Sequence, residues 1–185
     1  LWERMQSFNL HRTPKTPDEI WTCQHNPVFT LGRHANPKHL LTTTDIPLIQ
    51  SDRGGQITYH GPGQLMIYPL INLRRKKLGV SQWVFQLEQS VIELLKFYQV
   101  EATRQKGKPG IYVGDQKIAS IGLRVRRGCS YHGIAINVAM DLTPFQTINP
   151  CGYEGLVMCQ LSDFNATVSL QHTLKQYQTI FNDLF

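Results

Sequence analysis

The chain has 185 residues, 41% of them hydrophobic and 17% charged, with 14 Gly and 10 Pro. That composition supports one folded domain over residues 1–185 and excludes collagen-like, linker-like and disordered chains. The formal net charge of +6 and a pI near 9.3 favour an acidic partner, without choosing among nucleic acid, an anionic surface and an acidic protein. The longest apolar run, Leu65 to Ile71, has strand length and falls far short of the roughly 20 residues that cross a bilayer. No basic-then-apolar leader opens the chain. It begins at Leu1 rather than Met, which predicts an incomplete N-terminus.

Trp2, Met5 and Phe8 have helical spacing and predict the end of an amphipathic helix. Glu19 to His25 and Pro27 to Leu31 read as short strands broken at Asn26-Pro27, and Ile46 to Gln50 as another. Ile57 to Asn72 reads as strand, tight turn, strand, interrupted at Gly61-Pro62-Gly63. Ser81 to Tyr98 carries one apolar face (Val84, Leu87, Val91, Leu94, Leu95, Tyr98), and Ser81 is its expected N-cap. Ile111 to Val113, a Gly114-Asp115 turn and Lys117 to Val125 predict a hairpin, followed by a strand over His132 to Val138. Leu170, Leu174, Tyr177, Phe181 and Leu184 mark a C-terminal helix. The expected fold class is α+β, a mixed β-sheet flanked by helices.

The four cysteines, Cys23, Cys129, Cys151 and Cys159, have no CxxC spacing, which disfavours structural zinc and a disulfide framework. Free thiols in a reducing cytoplasm fit best, and no metal site is expected. Cys151 lies in Asn149-Pro150-Cys151-Gly152, where Pro stiffens the chain and Gly frees it, so its thiol is expected to project from a turn. The ordinary alternative is a buried structural thiol. A thiol needs a nearby cation to act as a nucleophile at neutral pH, and Lys117, at the start of an apolar strand, is the candidate, although such a lysine commonly faces solvent.

The densest polar signal is the stretch from Arg53 to Gln64, Arg-Gly-Gly-Gln-Ile-Thr-Tyr-His-Gly-Pro-Gly-Gln. It is neither a Walker loop, lacking Gly-Lys-Ser/Thr, nor a dinucleotide fingerprint, lacking the third Gly at Met66. It can be a pair of structural turns or a backbone-lined ligand site.

Together with Pro27 to Arg33, Lys117 to Gly122, His132 to Val138 and Asn149 to Gly152, this block resembles the lipoyl(octanoyl) transferase family over nearly the whole chain. The resemblance implies the biotin/lipoate protein ligase catalytic fold, akin to class II synthetase cores. It implies that Cys151 accepts the acyl group and that Lys117 lowers its pKa. Arg53, Gly54, Gly55, Gln56, Ile57, Thr58, Tyr59 and His60 would bind substrate, as would Ser120, Ile121, Gly122, Gly133, Ile134 and Ala135. The implied donor is octanoyl-acyl carrier protein. The implied acceptors are lipoyl domains of 2-oxoacid dehydrogenases and the glycine cleavage H protein. No cofactor, nucleic acid or membrane is implied. Backbone N–H groups near Gly152 or in the glycine block would hold the oxyanion. Two kindred readings, an ATP-dependent lipoate ligase and a lipoyl amidotransferase, fit less well, the first because it needs no reactive thiol. Gly54-Gly55-Gln56 also resembles the tripeptide of peptide-release factors, which keeps nucleic-acid binding as an alternative from another class.

Overall fold

The structure, a computed structural model, describes residues 1–185. Its strands are β1 (Glu19–Cys23), β2 (Val28–Leu31), β3 (Leu48–Gln50), β4 (Thr58–His60), β5 (Gln64–Leu70), β6 (Thr103–Gln105), β7 (Lys108–Val113), β8 (Gln116–Arg126) and β9 (Cys129–Asn137). Its helices are α1 (Trp2–His11), α2 (Val80–Phe97) and α3 (Leu170–Leu184). Six strands form one antiparallel sheet in the order β1-β5-β9-β8-β7-β6. The mixed pairing expected from the sequence resides in a small second sheet, β3-β2-β4, where β2 runs parallel to β3 and antiparallel to β4.

Both faces of the large sheet are covered. β5 is buried along its whole length, so its alternating side chains serve two cores. Leu65 and Ile67 pack with α2 and α3, while Met66, Tyr68 and Leu70 pack under α1 with Met5. Leu87, Val91, Leu94 and Leu95 of α2 are fully buried, each contributing about 1.5–3 kcal/mol. A third core, with Phe29, Ile57, Tyr59 and Phe145, sits behind the small sheet.

The α2 N-cap is Gly79, two residues before the expected Ser81, because Gln82 Oε1 accepts the Gly79 N–H at 2.9 Å. Trp83 fills the first core position of this helix, and Val84 turns toward a cavity instead. The short edge strand β6 has no signature in the sequence, since Thr103–Gln105 carries no apolar alternation. β8 and β9 are joined by Arg127-Gly128, both at positive φ (54° and 80°), the backbone of a two-residue hairpin turn whose twist matches the strands. No helix is long and apolar enough to cross a membrane.

Candidate active site

A cavity of about 630 Å³ opens between the α1-side face of the large sheet, the small sheet and the loop carrying Arg53 to Gln56. Cys151 and Lys117 meet at its wall. Cys151 sits in a short helical turn, Pro150–Gly152, with left-handed backbone (φ 58°), and Gly152 follows at φ 84°. Two successive left-handed residues reverse the chain abruptly, and a non-Gly residue there carries backbone strain of the kind found at functional turns. The Cys151 N–H is bonded to the Ile57 carbonyl at 2.9 Å, which pins the turn to the start of β4.

Lys117 is one of the largest fully buried side chains, with 1% of its surface exposed. Sequence position suggested solvent; Gly110 is what allows burial. A Cβ on Gly110 would lie 2.4 Å from Lys117 Cε, so only glycine leaves the channel open, and φ of 120° there also demands it. The Lys117 N–H and carbonyl pair with Val157 and Cys159 at 2.9 and 3.0 Å, tying the strand start to the segment after Cys151. Lys117 Nζ then donates to Cys151 Sγ at 3.2 Å and lies 5.3 Å from the Tyr112 ring centroid. No carboxylate is within ion-pair distance of Lys117. Cys151 Sγ is thus the hydrogen-bond partner that the structure gives the buried Lys117 amine. Ser120 Oγ lies 3.8 Å from the same sulfur.

Of the residues singled out from sequence, Arg53, Gly54, Gly55, Gln56, Thr58, His60, Ser120, Ile121, Gly122, Gly133 and Ala135 line the cavity together with Lys117 and Cys151. Ile57, Tyr59 and Ile134 do not. Ile57 and Tyr59 alternate with Thr58 and His60 and so point into the core behind the small sheet, while Ile134 faces α2 and α3. The proposed oxyanion donors near Gly152 are also corrected: the Gly152 N–H is bonded to the Asn149 carbonyl at 2.9 Å and the Tyr153 N–H to the Pro150 carbonyl at 3.1 Å. Both donors are spent.

Arg53 lies over Gly122, whose missing Cβ admits the Arg53 stem. Burial lowers the guanidinium to about 10, partly offset by a negative charge on Cys151, so it remains a cation at neutral pH. Burial likewise pulls His60 down to about 3, against its own hydrogen bond to Gln64, so that ring is neutral.

The sequence did not reveal the part of the cavity supplied by α1 and β5: Trp2, Met5, Met66 and Tyr68. Asp52 holds α1 in place. Its carboxylate accepts from Trp2 Nε1 and His132 Nε2, each at 2.7 Å, from Gln6 Nε2 at 3.3 Å and from the Tyr131 hydroxyl. Burial pushes this carboxyl up, but the His132 and Tyr131 hydrogen bonds outweigh it and bring it down to about 2. A depressed carboxylate stabilises the fold above its unfolded value and loses that contribution as pH falls through the folded value. Asp52→Asn should therefore lower stability at pH 7 by on the order of 1–2 kcal/mol, and the difference from the parent in urea midpoint should vanish as pH falls from about 4 toward 2. An unchanged midpoint at pH 7 would mean that Asp52 does not fasten α1.

The residues match the sequence model of the Lipoyl protein ligase A/B catalytic domain over 2–182. An octanoyltransferase of Vibrio cholerae is 54% identical over 175 residues, covering 95% of this chain and 81% of that protein. One of Dechloromonas aromatica is 52% identical over 183 residues, covering 95% and 89%. The chain belongs to the octanoyltransferase family. It is thus an acyltransferase, built on a fold that this family shares with ligases. A lipoate-protein ligase A bound with ATP superposes with a TM-score of 0.81 at 16% identity, covering 98% of this chain and 80% of that one. A biotin protein ligase of Aquifex aeolicus superposes with 0.53 over 66% of this chain and 52% of its own, which places this octanoyltransferase-family fold in the wider biotin/lipoate ligase class.

Proposed function

We propose that the chain transfers an octanoyl group from octanoyl-acyl carrier protein to a specific lysine of lipoyl domains, those of 2-oxoacid dehydrogenases and of the glycine cleavage H protein, through a thioester on Cys151. This is the first step of endogenous protein lipoylation. The observation that carries the reading is the buried Lys117 amine with Cys151 Sγ 3.2 Å away and no carboxylate beside it.

The chemistry balances with these two groups alone. The Cys151 thiolate attacks the donor's thioester carbonyl; a new C–S bond forms, the bond to the carrier's sulfur breaks, and Lys117 gives its proton to the departing thiolate. The acceptor lysine then attacks the acyl-Cys151 carbonyl. Its nitrogen loses a proton to the now neutral Lys117, and Cys151 leaves again as thiolate. The donor is already activated, so the sequence of steps requires no nucleotide. An octanoyl chain buries about seven carbons, worth roughly 5 kcal/mol. The assay is transfer to a lipoyl domain without ATP, read by intact mass. An octanoylated lipoyl domain is expected; modification only with ATP and free octanoate would make the chain a ligase.

The acidic carrier has a matching surface. Leu73 N–H bonds to the Gly128 carbonyl at 2.9 Å, which brings the basic segment Arg74–Lys77 against the end of the β8–β9 hairpin with Arg124, Arg126 and Arg127. Arg75 is paired with Asp18 at 2.7 Å, and Lys76 reaches the Phe185 carbonyl at 2.9 Å. Arg74, Lys77, Arg124, Arg126 and Arg127 have no carboxylate partner. Arg74→Glu with Arg126→Glu should raise KM for the carrier-borne donor about tenfold and flatten its salt dependence. A small octanoyl thioester should react as before. Equal losses with both donors would remove this face from docking.

A further inference from the structure

A chain of buried polar groups starts at the far side of the large sheet and ends on Arg53. Its polarity is set by the first member. The Cys159 carbonyl can only accept, so Asn137 Nδ2 donates to it at 2.9 Å and Asn137 Oδ1 is left as an acceptor. Gln64 Nε2 fills that acceptor at 2.9 Å and also reaches the Tyr59 carbonyl at 3.3 Å, which turns Gln64 Oε1 toward His60. Gln64 Oε1 and His60 Nδ1 are 2.7 Å apart, and since the amide oxygen accepts, the hydrogen belongs on Nδ1. The neutral ring then has a bare Nε2, which accepts from the Thr30 hydroxyl at 3.2 Å.

With its hydrogen committed to His60, the Thr30 oxygen offers lone pairs to Arg53. Arg53 Nε and Nη2 donate to it at 3.2 and 2.9 Å, Nη2 also to the Thr30 carbonyl at 2.5 Å, and Nη1 to the Gly54 carbonyl at 2.9 Å. A guanidinium has five N–H donors, so one, on Nη1, is left without a partner in the protein. Arg53 has no carboxylate to fix it, and a free arginine side chain carries about 2 kcal/mol of rotamer entropy.

We propose that His60 is a positioning residue: its fixed Nδ1–H tautomer orients the Thr30 hydroxyl, which aims Arg53 and its remaining N–H at the carbonyl oxygen of an acyl group bound in the cavity. Only the identity of that oxygen rests on the acyl-transfer reading. Protonation of His60 would reverse the Thr30 hydroxyl and set a second cation facing Arg53. Burial and the neighbouring charges of Arg53, His25 and His132 all oppose it.

The test is a double-mutant cycle on the full chain with a small octanoyl thioester as donor. Thr30→Val should lower kcat/KM about tenfold and cost some stability, since it leaves buried His60 and Arg53 nitrogens unpaired, and Thr30→Ser should recover most of both losses. In an Arg53→Gln background, Thr30→Val should cost less than about twofold more, because the residue it steers is gone. A loss undiminished in that background overturns the proposal. Independently of activity, long-range proton–nitrogen correlation of the His60 ring should report the Nδ1–H tautomer, unchanged from about pH 5 to about pH 9. An Nε2–H tautomer or a titration in that range overturns it as well. Absence of an octanoyl adduct on the parent enzyme would instead remove the acyl-transfer reading, with the tautomer measurement still deciding the positioning role.

Discussion

Cys151→Ala is expected to abolish transfer, with turnover falling by at least about 10³-fold, since a covalent route loses its nucleophile outright. The fold should survive. Cys151 sits in a partly exposed turn held by its backbone N–H to the Ile57 carbonyl, and alanine keeps that bond. The left-handed backbone at 58° is as accessible to alanine as to cysteine, so no new strain enters. A melting temperature within a degree or two of the parent, alongside lost turnover, separates chemistry from packing. Near-normal turnover would remove Cys151 from the reaction.

Lys117 carries the second large effect, and its two replacements divide its roles. Lys117→Met keeps the stem that fills the space above Gly110 and removes the charge. Turnover should fall by about 10²–10⁴-fold, the usual worth of a positioned proton-transfer group. Alkylation of Cys151 by iodoacetamide at pH 7 should slow about tenfold, because nothing remains to balance the thiolate. The melting temperature should stay near the parent's, since methionine fills the same space and the Cys151 sulfur can take up a proton once its cation is gone. Lys117→Arg retains a cation but cannot give up a proton at accessible pH, so alkylation should stay closer to the parent than in Lys117→Met while transfer is still lost. Equal behaviour of the two variants in both assays would leave Lys117 a packing residue.

Much of this architecture is legible in the sequence where the signal is local. The i, i+3, i+7 spacing in α2 marks a buried face, and Pro150 with Gly152 marks a turn at Cys151. The alternation in β4 separates Thr58 and His60, which face the cavity, from Ile57 and Tyr59, which face the core; reading the block as a single binding stretch ignored the two-residue period. Other features depend on contacts between distant segments. Lys117 is buried because Gly110, across the β7–β8 hairpin, leaves it room, and no pattern around Lys117 itself announces that. The α1 wall depends on Asp52, fifty residues from its partner Trp2. The relay from Cys159 to Arg53 links residues from four strands and loops whose adjacency exists only in the folded sheet pair.

The central claim is that the acyl group rests on Cys151 between donor and acceptor. Incubation of the parent enzyme with octanoyl-acyl carrier protein alone, followed by intact mass and peptide mapping, addresses it directly. One octanoyl group, released by hydroxylamine as a thioester and mapped to Cys151, is the expected result. An adduct on Cys23, Cys129 or Cys159, or no acylated enzyme from a preparation that octanoylates a lipoyl domain once one is added, would contradict it.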